Sequence, residues 1–333
     1  MSDAARYGAL LAALSALVAA LFAASLLIGP AALGLGDSLA ALLAGEGEAA
    51  VLVMREIRLP RALLGLMIGA TLGLSGAALQ GYLRNPLAEP GLIGVTGAAS
   101  LGAVLAFYSG LSALFPLALP LAALAGAGSA AALLLALTGA RGGSLTLILA
   151  GVALSALTAA LTSLALNLSP NPFAAFEIVF WLLGSLSDRS WLDVQLSAPF
   201  ILAGWALLAM TGRGLDALTL GEDAAASLGI RLDRLRLAVV LGTAASVGAG
   251  TAVAGGIGFV GLIAPHLLRG AVGGRPSRLL PASALAGAAI LLAADVAVRL
   301  IAPERDLKLG VLTALVGAPF FLRLVLSTRR QFA

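Results

Sequence analysis

The chain has 333 residues, of which 60% are hydrophobic and 11% are charged, and its net charge at pH 7 is +4. These proportions, with a mean hydropathy of +1.06, exclude a soluble globular protein and indicate a polytopic membrane protein. The absence of cysteine and the single histidine exclude disulfides and thiolate metal sites, and the scattered arginines form no basic run typical of nucleic-acid binding. We therefore expect no metal site, no cofactor and no nucleic-acid partner.

Uncharged stretches of about 20 residues predict membrane spans along the first half of the chain. Span one covers 7–28 and is too long for the apolar core of a cleaved signal peptide. Span two covers 62–83 and carries a ridge of small residues at Gly65, Gly69 and Gly73, which lets another helix approach closely. The uncharged region 91–140 is long enough for spans three and four, with a break at 109–116.

The second half of the chain predicts six more spans. They cover 144–167, 192–211, two segments within 237–268 separated by a break at 254–258, 279–301 and 309–326. A connection rich in aromatic residues, at 169–191, separates spans five and six. Its rings are typical of a short helix at the membrane interface and include Phe173, Phe176, Phe180 and Trp181.

The distribution of charge predicts the orientation of these spans. Arg269, Arg275 and Arg278 lie in a short connection without acidic residues, and such connections are retained in the cytoplasm. The turn at Arg141 falls on the same side. The resulting ten-span topology places both termini in the cytoplasm, with a net basic cytoplasmic side and a net acidic opposite side.

The longest charged segment, 213–236, lies between spans six and seven. Thr219 and Glu222 have the spacing of a capping box at a helix start, and Glu222 and Asp223 place negative charge in the first turn. Gly229 can end that helix in a left-handed conformation. Two interpretations remain open for this helix: it lies on the lipid surface, or it docks onto a cytosolic partner.

Few residues in the spans carry chemistry. Lys308 is the single lysine and has no P-loop around it, so any nucleotide energy must come from another subunit. Asp295, one turn before Arg299, predicts an ion pair, although an ion-coupled carrier remains an alternative. Ser75 and His266 leave an intramembrane serine protease as a weaker alternative, because small residues are so frequent that this pattern is expected by chance.

Five blocks of sequence resemble the FecCD permeases, the membrane subunits of ABC importers for iron chelates, haem and cobalamin. The blocks are REIRLPRALLGLMIGATLGLSGAALQGYLRNPLAEPGLIGVTGAASLG, LGEDAAASLGI, GGIGFVGLIAPHLLR, LLPASALAGAAILLAADVAVRL and LGVLTALVGAPFFL. They cover 55–326 in order. Span one and the aromatic connection match loosely.

This resemblance implies one all-α transmembrane domain, 1–333, with the ten-helix fold of type II ABC importer permeases, in a bacterial inner membrane. It implies a homodimer, two ATP-binding cassette ATPase subunits, a periplasmic substrate-binding protein, and no catalytic residue in this chain. Membrane lipid surrounds the spans. The cargo implied is an iron-siderophore, haem or cobalamin, with another chelate such as molybdate as the alternative within the family.

The resemblance also implies three sets of site residues. The ATPase-coupling segment, 218–231, includes Leu218, Leu220, Gly221, Glu222, Asp223, Ala224, Leu228, Gly229 and Arg231. The arginines expected to receive acidic residues of the binding protein are Arg58, Arg61 and Arg299. A translocation path between two copies of spans five and ten is expected to include Ser155, Thr158 and Thr162, although bonds to neighbouring helices explain these hydroxyls equally well.

Overall fold

A computed structural model describes residues 2–31, 33–115, 117–139, 143–169, 172–302 and 307–329. All regular structure in these ranges is helical, as predicted. The first eight α-helices are α1 (Asp3–Leu27), α2 (Leu35–Leu43), α3 (Glu48–Val51), α4 (Leu59–Leu83), α5 (Val95–Tyr108), α6 (Leu111–Leu114), α7 (Ala118–Thr138) and α8 (Ser144–Asn167). The next eight are α9 (Pro172–Leu182), α10 (Trp191–Ala209), α11 (Gly212–Leu218), α12 (Glu222–Ser227), α13 (Leu232–Ala254), α14 (Val260–Arg269), α15 (Pro276–Ile301) and α16 (Leu309–Arg329).

The helices account for the ten predicted spans. Within the described ranges, seven helices are long and apolar enough to cross a membrane, and α5, α14 and α16 are shorter apolar helices at the three other predicted positions. The predicted bounds of span five are those of α8. Two predicted connecting residues, Pro116 and Arg141, lie outside the described residues.

The second span is much longer than predicted. Helix α3, a π-helical turn at Leu52–Arg58 and α4 form one continuous helix of 36 residues, although 29–61 read as a polar connection. Pro60 cannot donate a backbone hydrogen bond to the preceding turn, and the wider π-helical turn just before it accommodates this missing donor.

The helix bundle has two ends, which we name the α12 end and the α2 end after the short helices found there. Helix α1 begins at the α12 end, where the carboxylate of Asp3 lies 2.6 Å from the guanidinium of Arg278 near the start of α15. Helix α16 runs from near Gly184 toward the α12 end, where Phe320 contacts His266 near the end of α14. The start of α1, the end of α16 and the charged segment 213–236 therefore share one end, as the predicted topology requires.

Helices α4 and α15 make the most intimate contact in the bundle, and the predicted glycine ridge forms it. A Cβ atom on Gly73 would collide with the backbone carbonyl of Ser283, and one on Gly69 would meet the backbone of Gly287. Because α4 carries no side chain at either point and faces backbone atoms of α15, the two backbones touch directly. This contact aligns the two antiparallel helices.

The predicted break between spans seven and eight is confirmed, and it lies deep in the helix bundle. Helix α13 ends at Ala254, Gly255 has a φ of 73°, and α14 begins at Val260. With ten residues, α14 is about 15 Å long, half of the hydrocarbon thickness. Gly261 packs against Gly76 and the Leu72 carbonyl in the middle of α4, so α14 is a half-helix that begins deep in the bundle.

We expect Gly73→Ala to lower the free energy of unfolding by about 1–3 kcal/mol, because the added methyl group forces α4 and α15 apart. Gly128→Ala in α7 is the matched control: a Cβ atom there meets open space, and alanine is the better helix former. Thermal unfolding in detergent, followed by scanning fluorimetry, checks this difference. Equal melting temperatures for the two variants would contradict the importance of the contact.

Candidate functional site

A cavity of about 410 Å³ opens at the α2 end of the bundle. It brings together the three arginines predicted to face a binding protein, Arg58, Arg61 and Arg299, and its lining includes a fourth, Arg189. The expected convergence of the three arginines on one face is thus present. Their hydrogen bonds show that they are not equivalent.

Arg58 is buried and holds the end of α1. It is 4% exposed, and its guanidinium donates to the carbonyls of Leu26, Leu27 and Ala31 at 2.9, 3.0 and 2.5 Å. The C-terminal end of a helix presents unsatisfied carbonyls and partial negative charge, which a guanidinium satisfies well. Arg58 therefore fixes α1 to the long helix that contains α4.

Asp295 is the centre of a buried ion cluster. It is 1% exposed, and the predicted pair with Arg299 is confirmed at 2.7 Å. Arg61 forms a second pair with it at 2.8 Å, which the sequence analysis missed. Arg299 also donates to the carbonyls of Ser25 and Ile28 at the end of α1. Both carboxylate oxygens of Asp295 are engaged by guanidiniums, which favours a structural role for Asp295 over ion coupling.

The charged segment at the α12 end presents two apolar side chains to solvent. Leu220 and Leu228 are 68% and 64% exposed, whereas Leu218 is buried in the core. Ala225, which the sequence analysis did not select, is the buried contact of α12, and Ala224 is half-buried. Leu220 and Leu228 thus flank the short helix α12, which packs against the rest of the protein through Ala225.

The predicted capping box on α12 is wrong. The Thr219 hydroxyl donates to the carbonyl of Asp216 at 2.6 Å, because Thr219 ends the preceding helix α11. Gly221, with a φ of 105°, is the N-cap of α12 and makes no side-chain bond there. Helix α11 forms because it is fastened to α15: the Asp216 carboxylate accepts a hydrogen bond from the Ser277 amide at 2.8 Å.

Other features predicted for this segment are present. Glu222 and Asp223 occupy the first turn of α12, and Gly229 follows it with a φ of 83°. Arg231 is exposed and lies 3.5 Å from the Asp233 carboxylate. The segment thus combines exposed leucines with exposed charges of both signs.

The hydroxyls predicted along α8 make local contacts. Ser155 donates to the carbonyl of Gly91 at 3.2 Å, and Thr158 donates to the carbonyl of Ser155 at 3.0 Å. Thr158 is buried against Gly97 of α5, while Thr162 is half-buried. The sequence left open whether these hydroxyls border a path or bond to a neighbouring segment. For Ser155 the hydrogen bond to a neighbouring segment is present.

A partly buried carboxylate, Glu89, lies in the connection between α4 and α5 and was not among the predicted site residues. Glu89 accepts a hydrogen bond from the Phe259 amide at 3.3 Å, at the N-terminus of the half-helix α14. The other end of α14 is held by Arg269, which donates to the Gln80 side chain at 2.6 Å. The positive end of a helix stabilises a nearby carboxylate, so Glu89 positions α14 in the bundle.

Ser75 and His266 do not form a catalytic dyad. The Ser75 hydroxyl is buried without a hydrogen-bond partner among the described residues. His266 instead packs edge-on against the Phe320 ring of α16, with 5.4 Å between ring centroids. The geometry gives no support to the protease alternative.

Comparison with known proteins shows which family shares these sequence and structural features. The model of the FecCD transport family matches residues 17–327. The chain belongs to the FecCD transport family. The resemblance found in the five sequence blocks is confirmed, and it extends into the second half of the first span and across the aromatic connection.

FecCD relatives include permeases of two kinds of import system. The chain is 42% identical over 277 residues to the Fe(3+) dicitrate transport system permease protein FecD of Escherichia coli, which covers 83% of this chain and 86% of that protein. It is 40% identical over 283 residues to the cobalamin import system permease protein BtuC of Halobacterium salinarum, covering 84% and 75%. BtuC of Vibrio cholerae, a vitamin B12 import permease, is 42% identical over 278 residues, or 80% of each chain.

A solved structure shows that the FecCD fold is shared along nearly the whole chain. It is described as an inward-facing conformation of a metal-chelate type ABC transporter, and it superposes with a TM-score of 0.85 at 34% identity. The match covers 95% of this chain and 98% of the other. The all-helical permease fold predicted from the sequence is therefore confirmed.

We expect Arg58→Ala to lower the free energy of unfolding by about 2–3 kcal/mol, because it leaves carbonyls at the end of α1 without a charged donor. Arg58→Lys should recover only part of this loss, because a single ammonium group cannot reach all three carbonyls that the planar guanidinium contacts. Arg213→Ala, at an exposed position of the α12 end, is the control and should leave the melting temperature unchanged. An Arg58→Ala variant as stable as that control would overturn the role assigned to Arg58.

Proposed function

We propose that this chain is the permease subunit of an ABC importer that carries an iron chelate, such as a siderophore, iron citrate or haem, or cobalamin across a bacterial inner membrane. The observation that carries the proposal is family membership over residues 17–327, with relatives named for import of iron citrate and cobalamin. ATP hydrolysis takes place in a separate subunit, because the chain offers no P-loop.

The proposed assembly contains two copies of this chain, each a single transmembrane domain, two ATP-binding cassette subunits and a periplasmic substrate-binding protein. Exposed apolar side chains support the proposal that a second copy of the chain and membrane lipid surround the spans. Leu149 and Leu157 of α8 and Leu315 and Val316 of α16 are all exposed in the isolated chain. Such side chains require either lipid or another protein surface around them.

The α12 end is proposed to face the cytoplasm and to dock the ATPase through 218–231. Leu220 and Leu228 supply apolar side chains for a groove, and Glu222 and Asp223 supply charge for its rim. The anchors beneath support this role: Ala225 is buried and Asp216 binds the start of α15. A displacement of α12 is therefore transmitted through α11 to the start of α15, which crosses the whole bundle.

The translocation path is proposed to run between the two copies of α8 and α16. Ser155 and Thr162 are accessible enough to border such a path, whereas buried Thr158 supports the wall from behind. Helix α8 also exposes one face of small residues, formed by Ala153, Ala156, Ala160 and Ser163. Small weakly polar side chains suit a conduit that does not hold a bulky chelate tightly.

The α2 end is proposed to face the periplasm, where Arg58, Arg61 and Arg299 form a basic receiver for acidic residues of the binding protein. Their convergence on one cavity supports this role, since guanidiniums recognise carboxylates with two parallel hydrogen bonds. Both chain termini are then cytoplasmic, in agreement with the basic character of that side.

Reconstituted uptake tests the import proposal. Proteoliposomes containing the permease, its ATPase and its binding protein should accumulate one of three labelled cargos, iron citrate, haem or cobalamin, when ATP is supplied. Permease without the ATPase should accumulate none. Uptake by the permease alone, driven by a proton or sodium gradient, would instead support the ion-coupled carrier.

We expect the double substitution Leu220→Ser and Leu228→Ser to reduce ATP-driven uptake about tenfold or more, because both side chains anchor the docking surface. The permease itself should keep its melting temperature, since both side chains are exposed. Leu43→Ser at the opposite end, where the side chain is 82% exposed, is the matched control. Uptake equal to that control would refute the coupling role of 218–231.

A further inference from the structure

The basic cavity at the α2 end contains an arginine to which neither the sequence nor the family comparison assigned a role. Arg189, in the connection between α9 and α10, lines the cavity together with Arg58, Arg61 and Arg299. Asp188 also lines it, and Asp295 is buried behind two of the arginines. Four cations thus face three carboxylates, since Asp193 lies beside Arg189, and the cavity keeps an excess of one positive charge.

The four guanidiniums differ in how many of their donors are already used. Arg58 and Arg299 donate several hydrogen bonds to the end of α1, and Arg61 donates through Nε and Nη2 to Asp295. Arg189 lies 3.8 Å from the Asp193 carboxylate, too far for a hydrogen bond, and its Nε is buried without a partner in the part of the chain described. Arg189 therefore has the largest unused capacity for an anion.

The backbone around Arg189 is held on both sides. Before it, the Ser185 amide donates to the Ala254 carbonyl at 2.8 Å, and Asp188 has a φ of 56°. After it, Ser190 and Asp193 form a capping box that starts α10. Aspartate tolerates the left-handed conformation, and the hydrogen bonds on both sides hold the backbone at Arg189 in place before any ligand arrives.

We propose that Arg189 joins the basic receiver and binds one carboxylate of the substrate-binding protein together with Arg61, beside Arg58 and Arg299, which also hold α1 in place. Arg61 retains its Nη1 for the incoming carboxylate while Asp295 keeps its other donors in position. This inference rests on the proposed function, because it refines how the importer recognises its binding protein. A protein carboxylate fits because the cavity lies at the outer end of the bundle and planar guanidiniums favour bidentate acceptors.

The test measures association of the permease–ATPase complex with the cognate binding protein, identified from its neighbouring gene. The complex is placed in phosphatidylcholine nanodiscs, which carry no anionic lipid, and binding is followed by surface plasmon resonance. Arg189→Ala should weaken binding by about tenfold or more and leave the melting temperature unchanged. Arg55→Ala removes one charge from the same end outside the cavity and should change binding less than twofold.

A double substitution tests whether the two arginines share one carboxylate. The effect of Arg61→Ala and Arg189→Ala together should be smaller than the product of the two single effects, because each single change already disrupts the same contact. Independent effects that multiply would overturn the shared site. Binding by Arg189→Ala within twofold of the wild type would overturn the role of Arg189.

Two further outcomes separate this inference from the import proposal. Failure of the wild-type complex to bind any co-encoded binding protein would count against the proposed function itself. Strong competition by free citrate in the wild type that Arg189→Ala abolishes, with binding-protein affinity unchanged, would assign the cavity to a small anion and overturn the protein carboxylate.

Discussion

The direct contact between α4 and α15 sets the geometry of this permease. Gly69 meets the backbone of Gly287, and no side chain on either helix separates the two chains at that point. Arg61 lies about two helical turns from Gly69, and Asp295 lies the same distance from Gly287 in the opposite chain direction. Because the helices are antiparallel, the glycine contact brings this arginine and this aspartate together. The apolar register of the interior thus determines the ion cluster at the α2 end.

Arginine side chains hold the structure together at the α2 end, and in the proposed importer the same arginines receive the binding protein. Arg58 and Arg299 donate hydrogen bonds to carbonyls at the end of α1, and Asp295 forms ion pairs with Arg61 and Arg299. Guanidiniums suit both tasks because they remain charged and carry several donors in a fixed plane. A basic surface formed in this way is rigid before a partner arrives, which lowers the entropy that association must overcome.

Features that depend on local spacing could be predicted from the sequence, and features that depend on distant contacts could not. The uncharged length of α8 and the one-turn interval between Asp295 and Arg299 are local, and both are confirmed. The pair of Arg61 with Asp295 joins positions 234 residues apart. Thr219 had the spacing of a helix start but ends α11, which is held by α15. Glu89 follows a charged turn in sequence, yet its segment folds back to the middle of α4, because the backbone of α14 provides a donor there.

The attachments of α1 also bear on how the protein is made. Few residues of α1 are buried, and it is held near its start by Arg278 and at its end by Arg58 and Arg299. The ribosome synthesises Arg58 soon after α1, but it synthesises Arg278 and Arg299 only after nearly all of the other described helices. Since polypeptides fold from the N-terminus during synthesis, the end of α1 can be held by Arg58 long before Arg278 and Arg299 exist. The contact at the start of α1 forms only when α15 has been inserted, so the two ends of this helix are secured at different stages of synthesis.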